Sequence, residues 1–479
     1  MTTRREFVVG AAGALWLPYV AAARRRRTMS VDVVVVGAGL AGLTAARQVA
    51  AAGRDVVVLE ARHRVGGRTK NRSVAPGVVA ELGAEFVGPT QDHVLALAAE
   101  LGIPTFKTYN EGNDVLFLNG RRSLYPASPG ISDDPDFVAA IKAGLKLDAM
   151  AAHVPVDRPW KAPHAEAWDR QTFGEWVHRN LRTRGARTLI KIASRAVWAA
   201  EPSELSLLYV LFYIAAAGNP TTKGSILRLI GTPGGAQDSR FVGGSQRLAL
   251  ELARQLGRRA VLGAPVRRLV RVRGGVHVEA DGVEVRARRA IVTAPPVVAA
   301  DIDFSPGLPR GKIEALRAAH PGALSKWEAV YDRPFWRDAG LSGQVISELD
   351  PANSTFDNSP PSGGPGLMFG FIGGAPQRAN RHRTQAQHRS RLISNLTALF
   401  GDEARHVRGY FEGNWQDVWT RGCPVGHFGR KHFRPLAPHL RQRVGPIHFA
   451  GTETATFWNG YMNGAISSGK RAAREVLGR

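Results

Sequence analysis

An α/β fold is what this sequence predicts, and three features near its start predict it. A run of β-branched residues, Val31 to Val36, suits a strand buried on both faces. A glycine-rich turn, Gly37-Ala38-Gly39-Leu40-Ala41-Gly42, follows at once and leads into a helical pattern ending near Gly53. A second apolar run, Asp55 to Leu59, ends in an acid, Glu60.

Each part of this unit has a physical task. Gly37 permits the tight turn, and Gly39 lets backbone amides approach a pyrophosphate at the helix N-terminus. Gly42 lets the helix lie close to the strand, and Glu60 is placed to accept hydrogen bonds from ribose hydroxyls. Three glycines alone are weak evidence. The order strand, turn, helix, strand, acid makes the site a Rossmann-type dinucleotide unit.

The next residues choose between dinucleotides. Arg62 through Val65-Gly66-Gly67-Arg68-Thr69 resembles the second signature of flavoproteins related to glutathione reductase and the amine oxidases. That resemblance implies FAD, with Arg62, Gly66, Gly67 and Arg68 against its diphosphate and ribityl chain.

Beyond this point the chain resembles the flavin monoamine oxidase family. The stretch from Glu81 to Gln91 resembles that family's loop beneath the flavin ring, and it carries Gly83, Ala84 and Phe86. Pro159-Trp160, Trp168-Asp169 and Glu201-Pro202 match stretches of the substrate region. Gly234-Gly235-Ala236-Gln237 leads into Arg240 to Ser245. Asn414-Trp415, Phe449 to Thr454 and Gly460 to Ala465 close the set. Order and spacing together, rather than any one piece, carry the likeness.

The resemblance implies a glutathione-reductase-like FAD-binding domain assembled from residues 30–90, 235–305 and 412–479. It implies a discontinuous α+β substrate domain from 91–234 and 306–411. It implies cofactor contacts at Val266, Trp415, Cys423, Gly451 and Glu453 as well. Lys326 matches the lysine that holds a water near flavin N5, and its alternative is a surface lysine paired with Glu328. Tyr461 matches one wall of an aromatic cage. The other wall departs from the family's mammalian members: Pro424 stands where they have tyrosine, leaving Phe428 or Trp458 to complete it. Cys423 falls where some members attach the flavin through a thioether, and covalent and noncovalent binding both stay open. Gln237, Ile230 and Phe86 are carried over as substrate contacts.

The activity implied is oxidation of a primary or secondary amine, an aromatic monoamine first, by dioxygen with release of peroxide. Diamines stay open because Glu85 could line a tunnel. An L-amino acid is disfavoured, because the loop Glu85-Phe86-Val87 lacks the arginine a carboxylate needs. A noncatalytic flavin-binding partner is the reading from another class, and the presence of Lys326 and Tyr461 argues against it.

Composition bounds the rest. The formal charge is +24, but arginine is scattered and only Arg24 to Arg27 form a run, so no nucleic-acid partner is expected. The single cysteine excludes an internal disulfide and a cysteine zinc site, and no histidine spacing suggests a metal. Residues 1–29 read as a twin-arginine export signal: Arg4-Arg5-Glu6-Phe7, an apolar stretch, then Ala21-Ala22-Ala23. Translation from Met29 would leave the protein cytoplasmic. No segment is long and apolar enough for a membrane span. A homodimer is left open. The Pro-, Gly- and Ser-rich segment 350–366 is expected to be a surface loop.

Overall fold

The computed structural model describes residues 27–478. The export signal expected over residues 1–29 therefore lies almost wholly outside the described residues. Its last three, Arg27 to Met29, already pair with Val283 to Val285 in a sheet.

That sheet has eight strands. The strand Arg27–Val36 lies between Val283–Val292 and Val56–Leu59, parallel to both. Its side chains alternate with the pleat. Val33 and Val35 enter one core with Leu43, Ala46 and Val49 of the helix Leu40–Ala51. Val34 and Val36 enter another with Leu269, Val278 and Val285 of an antiparallel meander. The apolar run in the sequence is thus explained by burial on two faces. The helix Met462–Leu477 packs along Leu40–Ala51, and the strand Ile447–Phe449 pairs with the end of Val283–Val292. The nucleotide half therefore joins the first and last parts of the chain.

A second sheet has seven strands, in the order Gly409–Asn414, Leu324–Tyr331, Gly366–Gly373, Ser354–Asp357, Leu341–Ser347, Asn113–Leu118, Arg121–Pro126. The helices Pro135–Ala151, Arg184–Trp198 and Leu207–Ala215 gather beside it. Leu207 to Ile214 are all buried, which explains a helix apolar on every side.

One expectation fails here. Segment 350–366 is not a surface loop throughout: it holds the strand Ser354–Asp357, and residues 351–353 and 357–359 are buried. Its polar groups find partners inside. Asp357 Oδ2 accepts from Trp336 Nε1, and the Asn358 and Ser359 carbonyls accept from Arg240. Polar composition signals exposure only when such partners are missing. Among the described residues no helix is long and apolar enough to cross a membrane.

Candidate active site

The two sheets share one large cavity of about 870 Å³, lined from both sides. Its nucleotide end is built on close backbone approaches. A Cβ on Gly42 would sit 2.0 Å from the Gly37 carbonyl oxygen, and one on Gly37 would sit 2.7 Å from Thr293 Oγ1. Only glycine lets the turn and helix meet there. Gly39 and Gly66 form an isolated bridge, and a Cβ on Gly67 would lie 3.2 Å from the Gly39 Cα. These bare backbones leave room for a phosphate chain before the first-turn amides of Leu40–Ala51, which have no acceptor within the helix.

Glu60 is buried at the cavity edge and accepts from the Ala38 and Arg62 amides at 2.7 and 2.9 Å. Those bonds fix its carboxylate beside the turn. Arg62 is held by Asp417 at 2.5 Å. Arg68 is held by both oxygens of Glu453, at 2.6 and 3.1 Å, and by the Pro424 carbonyl at 2.7 Å. The Glu453 carboxylate offsets the desolvation of the Arg68 guanidinium and raises its pKa. Gly83 lies against Trp415, whose indole donates to the Leu82 carbonyl at 2.8 Å, and Ala84 lines the cavity beside it. Val266 and Gly451 also line the cavity. Gly42 and Glu453 support this wall from behind and do not line it.

Farther in, Lys326 is buried, so the surface alternative does not hold. Its ammonium pairs with Glu85, lies 3.9 Å from Glu328, and stands 3.9 Å over the Phe369 ring. Arg240 completes this buried group, with Nε 2.9 Å from Glu85 and a nitrogen 3.3 Å from Glu81. Three carboxylates face two cations. Burial, with the Glu85 charge nearby, pushes the Glu81 carboxyl up to about 7 and drives Glu328 upward as well. Glu85 therefore neutralises protein cations and is not a free acid along a tunnel.

Tyr461 lines the cavity between Tyr213, at 6.2 Å between ring centres, and Trp458, at 4.8 Å. Burial raises the Tyr461 phenol, which stays neutral. Pro424 and Cys423 line the same region. Burial pushes the Cys423 thiol up to about 12. Phe428 does not reach the cavity: it is packed in the core against Tyr209 and Phe433. Trp458 is buried behind Tyr461, its indole donating to Thr90. Among the aromatic walls that the sequence reading missed are Tyr213, Phe356 and Phe371. Tyr213 had a signal in the apolar run Leu207 to Ile214 that carries it, and a Cβ on Gly460 would sit 2.3 Å from its hydroxyl. The two phenylalanines had none, because strand register alone brings them beside Lys326.

Gln237 also lines the cavity. Its Nε2 donates to the Leu229 carbonyl at 3.2 Å, while its buried Oε1 has no partner. Ile230 lines the outer part with Ile131, Leu145 and Leu227, and all four are exposed, which marks an apolar mouth.

Comparison with known proteins decides the family. The model for flavin containing amine oxidoreductases matches residues 40–477. This chain belongs to that family. A Mycobacterium tuberculosis relative, named provisionally as a flavin-containing monoamine oxidase, is 39% identical over 448 residues, 93% of this chain and 96% of the relative. Cyclohexylamine oxidase from Brevibacterium oxydans superposes with a TM-score of 0.89 at 30% identity, covering 94% of this chain and all of that one. A putrescine oxidase bound to putrescine superposes at 0.88 with the same identity and coverage. The amine oxidoreductase described here is a flavoenzyme acting on amines, and its cofactor is FAD. The glycine cradle and the Arg68–Glu453 pair fit that group.

Proposed function

We propose that this enzyme oxidises a primary or secondary amine with an apolar body, aromatic monoamines among them, and passes the electrons to dioxygen. The single observation that carries the reading is the joining of Lys326, Tyr461 and the glycine cradle in one cavity. FAD, when bound, supplies a two-electron acceptor for the carbon next to the amine nitrogen.

The chain's own residues do the rest. Tyr213 and Tyr461 offer ring faces that orient an amine and exclude water. The apolar wall disfavours the ammonium form by desolvation, so the neutral amine is the species held there. The unpartnered Gln237 Oε1 can accept from an amine N–H. Lys326, paired with Glu85, is placed to hold a polar group or a water at the inner end of the cavity.

Amino acids fit poorly. Arg62, Arg68, Arg267, Lys326 and Arg421 line the cavity, and each is already ion-paired, with Asp417, Glu453, Asp281, Glu85 and Asp301. None is left for a substrate carboxylate. Export by the twin-arginine route belongs to this proposal too, on the Arg4-Arg5 pair and the apolar stretch after it.

The test is anaerobic reduction of the purified holoenzyme by benzylamine, cyclohexylamine, putrescine and L-phenylalanine. Bleaching of the flavin by the first two, with peroxide formed on admitting air, supports the reading. Bleaching by L-phenylalanine alone overturns it.

A further inference from the structure

The floor of the cavity is one face of the seven-stranded sheet, and its register can be followed residue by residue. Lys326 pairs with Phe371, and Phe369, two residues along that strand, pairs with Phe356. Ser354, two residues from Phe356, pairs with Ile346, which pairs with Leu116. Asp114 lies two residues from Leu116 and pairs with Tyr125. Alternation in strands places all of these on the same face. Four strand spacings separate Lys326 from the Asp114 strand, roughly 19 Å at the usual separation.

The far end of this floor is polar. Asp114 is buried and lines the cavity, yet among the described residues it has no cationic partner. Its carboxylate accepts from the hydroxyls of Ser342 and Tyr125. A register irregularity between Leu341 and Val345 turns Ser342 and Gln344 toward it. The Gln344 amide donates to Ser342 Oγ at 3.0 Å, and its side chain donates to Asn110 and accepts from Thr232 at 2.5 Å. Asn110, Thr232 and Gln344 line the same cavity. Burial pushes the Asp114 carboxyl up to about 6. A buried carboxylate with only hydroxyl partners lacks the counter-charge that buried ions ordinarily have.

We infer that Asp114, with Asn110, Gln344 and Thr232, forms a second recognition site that takes a cationic nitrogen at the far end of the substrate. This rests on the amine-oxidase reading above and adds a substrate class to it: long amines with an apolar middle and a second ammonium. One nitrogen lies at the Tyr461 end, the apolar chain lies along Phe356 and Ile346, and the second nitrogen meets Asp114. Short diamines cannot span the floor and gain nothing.

The test uses the holoenzyme with diaminododecane and dodecylamine, which share a chain and differ in the second nitrogen. The wild-type enzyme should favour the diamine in kcat/KM by about tenfold or more, the worth of a charge-assisted hydrogen bond. Asp114→Asn keeps the shape and should bring that ratio close to unity, mainly through KM. Gln344→Leu should lower the ratio in the same direction, with flavin absorbance checking that each variant folds. Equal efficiency toward both amines in the wild type, or an undiminished preference in Asp114→Asn, overturns the second site and leaves the parent reading intact. If neither amine reduces the wild-type flavin while benzylamine or cyclohexylamine does, the second site falls and the parent reading stands; if none of the four does, both fall.

Discussion

Glu85 holds Lys326 by its ammonium at the inner end of the cavity, and both side chains are buried. The carboxylate lies one residue before Phe86, which packs against Phe356 and Phe369. Electrostatics and aromatic packing therefore fix the lysine from the same loop.

Removing Lys326 leaves Glu85 with Arg240 alone, so three buried carboxylates then face one cation. Lys326→Met should cost about 3–5 kcal/mol of stability, as for other buried pairs broken from one side. Glu85→Gln with Lys326→Met together should cost less than the sum. Denaturant unfolding of the four proteins, each with FAD bound, checks this. Strict additivity would mean that the two residues are not coupled. Stopped-flow oxidation of the reduced variant tests the role with oxygen, where Lys326→Met should be at least tenfold slower.

The three-carboxylate group around Arg240 has a pH signature. Glu328 and Glu81 have folded-state values raised above the usual carboxylate range, chiefly by burial. The folded protein therefore binds protons more tightly than the unfolded chain, and these groups lower stability as pH rises. The loss begins near the ordinary glutamate value of about 4.5 and is complete above about 8. Glu328→Gln should flatten the decline in melting temperature across that window. An unchanged pH profile would remove Glu328 as its source.

Glu453 orients Arg68 through both carboxylate oxygens, from behind the cavity wall. Glu453→Gln keeps the shape but removes the charge, leaving a buried guanidinium with weaker partners. FAD should be lost more readily on dilution, by about tenfold in affinity, the scale of one charge-assisted bond. Fluorescence of released flavin measures it. Retention equal to the wild type would show that Arg68 needs no carboxylate.

Cys423 is held as a thiol by burial, near 12, and is followed by Pro424 where the family's mammalian members have tyrosine. The expected outcome is noncovalent FAD. Acid precipitation should leave yellow flavin in the supernatant and the chain at its unmodified mass. A chain heavier by one flavin would show the thioether instead.

The sequence made the nucleotide unit legible because local spacing encodes it. Gly37, Gly39, Gly42 and Glu60 must stand at fixed offsets around one strand and one helix. Tyr461 and Lys326 were found through motifs on single elements. Asp114, Phe356 and Phe371 were not, because each reaches the cavity through pairing between strands far apart in the chain. Segment 350–366 misled in part for the same reason: Asp357 and Ser359 bond locally, but the Asn358 carbonyl is satisfied by Arg240 from far along the chain. Phe428 misled because adjacency in sequence to Cys423 and Pro424 does not carry its ring to the same wall.

The closing of the nucleotide sheet by Ile447–Phe449 and Met462–Leu477 has a consequence for biosynthesis. While the ribosome is still making the chain, Leu43, Ala46 and Val49 of the first helix lack the helix that later covers them. The cradle for FAD is thus translated well before the helix that completes it. Until then the nascent protein displays an uncovered apolar surface, so chaperones that shield such surfaces should raise its yield. A stop codon a few turns early would leave a full set of cofactor-binding motifs on a chain unable to keep the cofactor.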